Sequence, residues 1–167
     1  MILYPSHHDL PKLVECYKSC FSGSLTTQLG DQFLSKIIEW YIVIDGAFLF
    51  CWKDGEEYLG FCGEKIGGSA STAMLQYAFK TAFLSILASP WIIFNPLVFS
   101  KWRFIISNIK KNFLKKIINN ESIKKTKKSI GLITIGVVSK SRGKGIGNEL
   151  MTEFDNKVIN LGYAKAH

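Results

Sequence analysis

Several motifs that would assign a function directly are missing from this sequence of 167 residues. Its cysteines, Cys16, Cys20, Cys51 and Cys62, form neither a CxxC pair nor a cysteine–histidine cluster with zinc-like spacing. We therefore expect no metal site. The cysteines are instead predicted to be free thiols, buried or half-buried, in a reducing compartment.

No secretory leader is expected either. Met1 to Pro5 contains no basic residue, and His7, His8 and Asp9 interrupt any apolar run. The composition is 47% hydrophobic with a mean hydropathy of +0.14, which excludes a largely disordered chain. These features predict one folded domain in the cytoplasm.

Acidic residues are scarce in one segment only. Lys101 to Lys128 contains ten basic residues and one acid, Glu121, so its formal charge is +9, whereas the rest of the chain is at −1. The overall charge of +8 therefore belongs to this segment and does not describe the whole surface. Such a segment suits nucleic acid, a membrane surface or another anionic partner.

The first 65 residues show the pattern β-α-α-β-β. A short strand is predicted over Ile2–Ser6, and a helix begins after Asp9, with Pro11 in its first turn. A second helix is predicted from about Thr27 to Tyr41. Two β-prone runs, 47–53 and 58–63, then flank Asp54-Gly55, which is a strong hairpin signal.

A long helix-prone stretch follows, from Ser69 to Asn120. Within it, Thr81 to Ser100 contains 20 residues without a charge, which is long enough for a membrane span. Pro90 and Pro96 also suit two short helices that meet at Ser89-Pro90. The two prolines, Asn95 and several serines make a membrane span the less favoured of the two interpretations.

The segment Lys101–Ile118 has the pattern of a cationic amphipathic helix. Trp102, Ile105, Ile109 and Phe113 share one face, and the lysines lie mainly off it. Three interpretations remain: a surface helix packed on the domain, attachment to an anionic membrane, and nucleic-acid binding. No RNP-like motif, zinc finger or clear helix-turn-helix supports the last, so nucleic acid is the least favoured partner.

The chemical signal lies near the end of the chain. The β-branched run Ile130–Val138 leads into the glycine-rich segment Ser139–Gly147, and a helical pattern follows at once. Glycines let a ligand approach the main chain, and the free N–H groups and dipole of a helix N-terminus favour an anion. This arrangement predicts a phosphate-binding loop.

The spacing of the glycines indicates which type of phosphate-binding loop the sequence contains. A dinucleotide fingerprint that starts at Gly143 or Gly145 would need a glycine where the chain has Asn148 or Leu150, and no P-loop pattern occurs. The pattern that fits is R-x-x-G-x-G, at Arg142, Gly145 and Gly147.

With this signature after the strand 132–137, the sequence resembles the GCN5-related N-acetyltransferases, and the opening β-α-α-β-β order suits that family too. The resemblance implies acetyl-CoA as co-substrate. The main-chain N–H groups of the loop would hold its pyrophosphate, and the end of the strand would pair with its pantetheine arm. The implied coenzyme-binding residues are Val137, Val138, Arg142, Gly143, Lys144, Gly145, Ile146, Gly147 and Asn148.

The chain departs from the family pattern in two places. About 65 residues, Lys65 to Ser129, separate the third strand from the coenzyme strand, where the family has a short connection. The second departure is at the end, where Gly162 to His167 reads as the start of a fifth strand, so the closing strands and helix are expected to be missing. The exposed strand edge that would result predicts a homodimer.

The resemblance thus predicts an α+β, three-layer fold with a mixed, mostly antiparallel sheet. It implies one domain over residues 1–167, with a β-α-α-β-β unit (1–65), an inserted basic helical arm (66–129) and a coenzyme-binding strand-loop-helix unit (130–167). The implied function is acetyl transfer to a small amine or amino sugar, with peripheral membrane contact through the arm as a further expectation. The alternative is a non-catalytic or truncated binding module that uses the arm for membrane or partner association.

No catalytic residue is assigned from the sequence. The coenzyme strand contains no acid, and the nearest candidate for a base is Glu64, at the end of the third strand. A solvated loop carboxylate is the interpretation favoured for Glu64.

Overall fold

The computed structural model describes residues 1–67, 70–88 and 130–162. Its strands are β1 (Ile2–Leu3), β2 (Ala47–Asp54), β3 (Glu57–Ile66) and β4 (Ile130–Val137). Its helices are α1 (Leu10–Cys20), α2 (Leu25–Gln28), α3 (Asp31–Val43), α4 (Ala70–Tyr77), α5 (Phe79–Ala88) and α6 (Ile146–Asn160). Short 3-10 turns at His7–Asp9 and Ser139–Ser141 precede α1 and follow β4.

The strands form one sheet in the order β1-β2-β3-β4, and each neighbouring pair is antiparallel. The hairpin expected at Asp54-Gly55 is present: Asp54 pairs with Glu57, and Gly55 takes a φ of +53° in the turn. The α+β architecture predicted from the sequence is confirmed.

Helices cover both faces of the sheet. On β3, a Cβ built on Gly60 would meet Ile146 and Leu150 of α6, whereas one built on Gly63 would meet Tyr41 of α3. Because successive strand residues point to opposite faces, α6 lies on one face and α1 with α3 on the other. α4 and α5 pack against α3. All four cysteines are free and buried, as expected.

The boundaries differ from the expectations at two elements. β1 stops at Leu3 instead of reaching Ser6, since Pro5 cannot donate a ladder hydrogen bond. The predicted second helix is interrupted, because Gly30 takes a φ of +89° between α2 and α3. An L-residue rarely adopts that conformation, so the chain changes direction there.

Parts of the predicted arm lie outside the described residues. Of the uncharged run 81–100, residues 81–88 belong to α5, and the remainder is not described; neither are the amphipathic segment 101–118 and residues 163–167. Among the helices that the structure describes, none combines the length and apolar character needed to cross a membrane.

Candidate functional site

The segment that follows β4 turns tightly before it enters α6. Val138 donates its main-chain N–H to the carbonyl of Leu59 at 2.9 Å and accepts from the N–H of Ser141 at the same distance. Ser141 itself is buried, with 2% of its surface exposed. The start of the loop is therefore anchored on β3, and the glycine-rich part projects beyond it.

Two glycines in the loop adopt a backbone conformation that favours glycine. Gly143 and Gly145 have φ values of +80° and +83°, and Gly145 is the N-cap of α6. A Cβ built on either residue would meet no atom within 4 Å. The glycines are thus required by the backbone turn, and the space beside them is open to a ligand.

The loop presents a row of unengaged donors. The N–H of Arg142 donates to Ser139, and the N–H of Asn148 donates to Gly145. Between them, the five N–H groups of residues 143–147 donate to no other group in the described part of the chain. They lie at the N-terminus of a 15-residue helix, where the helix dipole adds positive potential. This is the geometry of an anion site.

The two cationic side chains of the loop have different surroundings. Arg142 donates from Nε to the carbonyl of Val137 at 3.1 Å and from Nη2 to that of Cys20 at 3.4 Å, so it ties the loop to β4 and α1. Lys144 is exposed and forms no ion pair with any residue the structure describes. The charge of Lys144 is therefore available to a ligand at the loop, and Arg142 shapes the loop.

The structure also distinguishes the two valines at the end of the strand. Because the N–H of Val138 points to β3, that of its neighbour Val137 points to the outer edge of β4. No other described strand pairs with that edge. The N–H of Val137 can therefore donate to an extended ligand at the outer edge, although its carbonyl already accepts from Arg142, whereas both main-chain groups of Val138 are engaged within the fold.

Glu64 does not lie in a solvated loop, so that interpretation was wrong. It lies within β3, next to a bulge after Gly63, and is 0% exposed, with neither carboxylate oxygen bonded to any group among the described residues. Burial raises its pKa to about 7, with Lys157 opposing the shift and Glu153 adding to it. Both of these residues belong to α6, so Glu64 faces α6 and not α1 and α3.

The opposite face of the sheet contains a cavity of about 540 Å³ between α1, α2 and α3 and strands β2 to β4. Ile133 and Thr134 bring β4 to its wall, and Tyr41 of α3 lines it. Sequence analysis did not identify these residues, since an aromatic residue on an apolar helix face reads as core. Gly63 inside a strand was the available signal, because such a glycine often marks close approach of another group.

Comparison with known proteins identifies the fold. No family model matches the sequence, and no curated protein is significantly similar to it. Solved structures are similar, among them a GNAT family acetyltransferase from Staphylococcus aureus, at a TM-score of 0.54 and 11% identity over 98% of this chain and 81% of that one.

Two further similar structures are acetyltransferases as well. The aminoglycoside antibiotic 6'-N-acetyltransferase of Acinetobacter haemolyticus matches with a TM-score of 0.55 and 9% identity, over 99% of this chain and 76% of that one. The ribosomal-protein-alanine N-acetyltransferase of Brucella melitensis matches with a TM-score of 0.53 and 11% identity, over 99% of this chain and 76% of that one. The fold is therefore that of the GCN5-related N-acetyltransferases, as the strand-loop-helix signature predicted.

Proposed function

We propose that this protein transfers an acetyl group from acetyl-CoA to the amine of a small acceptor. The observation that carries the proposal is the row of unengaged main-chain N–H groups at residues 143–147, between β4 and the N-terminus of α6. The acetyltransferase fold of the chain supports it.

The described residues fit the coenzyme. The open space beside Gly143 and Gly145 suits a pyrophosphate, with Lys144 close to it in sequence. The outer edge of β4 at Val137 suits an extended arm that pairs with a strand. When bound, acetyl-CoA supplies an acetyl thioester for an amine to attack.

Isothermal titration of the full chain with acetyl-CoA tests the coenzyme site. Gly145→Asp places a negative charge and a strained side chain at the N-cap, so we expect its affinity to fall about 100-fold. Gly131→Asp is the matched control, because that glycine lies at the far end of β4 with open space around it. Absence of binding to the wild-type chain, or equal binding by the Gly145→Asp variant, would falsify the proposal.

Turnover separates an enzyme from a binding module. A chain that acetylates amines releases the thiol of CoA, which a thiol reagent detects. Binding of acetyl-CoA without release of thiol in the presence of amines would favour the non-catalytic module.

We extend the proposal to the segment Lys101–Ile118, which lies outside the described residues. Its charge and its apolar pattern suit peripheral contact of a cytoplasmic enzyme with an anionic membrane. Co-sedimentation with vesicles that contain phosphatidylserine should weaken in the Lys115→Glu/Lys116→Glu variant and with added salt, while the affinity for acetyl-CoA stays the same. A wild-type chain that does not sediment with these vesicles at low salt contradicts this contact.

The part of the outer edge of β4 that precedes Thr134, which the coenzyme arm would leave uncovered, has no strand partner among the described residues. An unpaired edge favours association, so we include a homodimer in the proposal. Sedimentation equilibrium of the full chain should give twice the monomer mass, and a single monomeric species would exclude the dimer.

A further inference from the structure

The cavity on the α1–α3 face has the size of a small-molecule site. Its volume of about 540 Å³ falls within the range of roughly 300–1,000 Å³ that such sites occupy. One end lies at the connection from α1 to α2, where Gly23 is exposed and Ser24 is partly exposed. The other end reaches β4. A ligand could therefore enter beside α2 and extend to the coenzyme strand.

The wall of the cavity is uncharged and mostly apolar, and its polar groups are the hydroxyls of Tyr17, Ser24, Thr26, Tyr41 and Thr134. Leu29, Phe33, Ile37 and Met74 form part of it, and no charged residue lines it within the part of the chain that the structure describes. A buried ammonium group without a counter-ion costs several kcal/mol, and unpaired hydroxyl groups are costly too. This wall therefore disfavours ligands with several charges or many hydroxyl groups.

The hydroxyl of Tyr41 lies at the sheet end of the cavity, and we call it the polar point. Tyr41 is 4% exposed, and its hydroxyl forms no hydrogen bond to another described residue. Its Cζ lies 2.7 Å from the position that a Cβ on Gly63 would occupy, and Cγ2 of Thr134 lies 3.0 Å from that position. Tyr41 and Thr134 therefore meet over Gly63. Burial raises the pKa of Tyr41, so the phenol stays neutral, and its oxygen can accept a hydrogen bond from the N–H of an amine.

This polar point is close to the coenzyme strand. Thr134 precedes Val137 by three residues, which is roughly 10 Å along a strand. An arm that pairs with the outer edge of β4 at Val137 and runs back along the strand would bring its end toward Thr134. The polar point thus lies where an acceptor nitrogen would meet the acetyl group.

From these observations, and resting on the proposed acetyl transfer, we infer that the acceptor is a predominantly apolar primary monoamine. Its hydrocarbon or aromatic body fills the cavity, and the Tyr41 hydroxyl oxygen accepts a hydrogen bond from its N–H, which leaves the nitrogen lone pair free to attack. Amino sugars and polyamines are disfavoured by the same uncharged wall.

The uncharged wall also suits the chemistry of the transfer. Desolvation favours the neutral form of an amine, which is the nucleophile. Its nitrogen forms the new C–N bond to the acetyl carbonyl carbon as the C–S bond breaks. The proton lost from nitrogen goes, through water, to the departing thiolate, so the products are the N-acetyl amine and CoA thiol without any further reactant.

The first test measures binding of the amine alone. Titration of the full chain with 2-phenylethylamine in the absence of coenzyme should show binding, and Tyr41→Phe should weaken it about fivefold, the effect of one lost hydrogen bond. This variant should fold, because it leaves no described hydrogen-bond partner unpaired. Binding of the amine with no response to Tyr41→Phe overturns the assigned role of Tyr41, and absence of binding overturns the cavity as the acceptor site.

The second test measures selectivity in turnover. The kcat/KM for 2-phenylethylamine should exceed that for glucosamine or cadaverine about 100-fold. Leu29→Glu places a carboxylate in the cavity wall and should shift the preference toward cadaverine, whereas Ile159→Glu, a matched change at a residue 69% exposed, should not. A wild-type preference for glucosamine or cadaverine overturns the inference.

The two proposals fail in different ways. If acetyl-CoA binds and glucosamine is the better acceptor, the acetyl transfer stands and the apolar acceptor is wrong. If 2-phenylethylamine binds in a manner that depends on Tyr41 while acetyl-CoA does not bind at all, the cavity is supported as an amine site and the acetyl transfer is wrong.

Discussion

Glu64 is a carboxyl group in an apolar environment. It is fully buried on the α6 side of β3, near Lys157 and Glu153 of α6, Cys62 of its own strand and Tyr4, which precedes α1. The attraction of Lys157 does not compensate for its loss of hydration, so the neutral acid is favoured in the folded chain. In the unfolded chain the same group ionises at its usual pKa of 4.5.

This difference makes stability depend on pH. Because the folded pKa of about 7 lies above the unfolded one, the protonated form of Glu64 stabilises the folded chain relative to the ionised form. This contribution to the free energy of unfolding is fully present below pH 4.5 and is lost as the pH rises through 7. Glu64→Gln removes the titration, so at pH 8 we expect its free energy of unfolding to exceed the wild-type value by on the order of 2–3 kcal/mol.

Urea denaturation from pH 4 to pH 8 measures this effect. The Glu64→Gln and wild-type values should converge at pH 4 and separate as the pH rises. The exposed Asp155, changed to Asn, provides the control and should follow the wild-type profile. Parallel profiles for Glu64→Gln and the wild type would contradict the assigned burial.

The start of α6 depends on the backbone conformation of the glycines beside it. Gly145 and Gly147 lie two residues apart, but only Gly145 has a positive φ. A Cβ on Gly147 would lie 3.9 Å from Val137, which is an ordinary contact. The two glycines therefore have different roles: Gly145 allows the turn, whereas Gly147 only leaves the first turn of the helix uncovered.

Alanine substitutions should separate these roles. Gly145→Ala should lower the free energy of unfolding by about 1 kcal/mol, because an L-residue is strained in the left-handed region. Gly147→Ala should raise it by about 0.5 kcal/mol, because alanine is the better helix former. Chemical denaturation of both variants checks the prediction, and a change of the same sign in both would contradict it.

At the scale of the whole molecule, Arg142 connects parts of the chain that are far apart in sequence. Its side chain bonds the carbonyl of Cys20, 122 residues away, as well as that of Val137. α6 is further attached by Trp52, which donates to Glu149, and by Tyr4, which donates to Glu153. The unit of β4, loop and α6, which we propose binds the coenzyme, thus depends on the N-terminal unit for its position.

We expect Arg142 and Lys144 to respond differently to substitution by methionine. Arg142→Met should lower the free energy of unfolding by about 1–2 kcal/mol, since hydrogen bonds from a charged donor are lost. Lys144→Met should leave stability within about 0.5 kcal/mol and weaken acetyl-CoA binding several-fold. Denaturation and titration of both variants test this division, which would be wrong if Lys144→Met were the more destabilising change.

The signature at Arg142, Gly145 and Gly147 could be recognised from sequence because its requirements are local. A strand, a turn with positive φ and a helix start each depend on a few adjacent residues. The hairpin at Asp54-Gly55 was predictable for the same reason. Gly30 shows the limit of this approach, since the apolar periodicity across it suggested one helix, whereas the chain forms two.

The environment of Glu64 and the cavity at Tyr41 depend on tertiary structure. Glu64 is buried because α6, more than 80 residues later in the chain, covers that face of β3. Tyr41 lies beside β4 because Gly63, on a different element, leaves room for its ring. Burial and convergence arise from contacts between distant segments, and local patterns of residues do not specify them. Adjacent residues therefore determine the loop that we propose binds the coenzyme, whereas the packing of distant segments determines what the proposed acceptor cavity can hold.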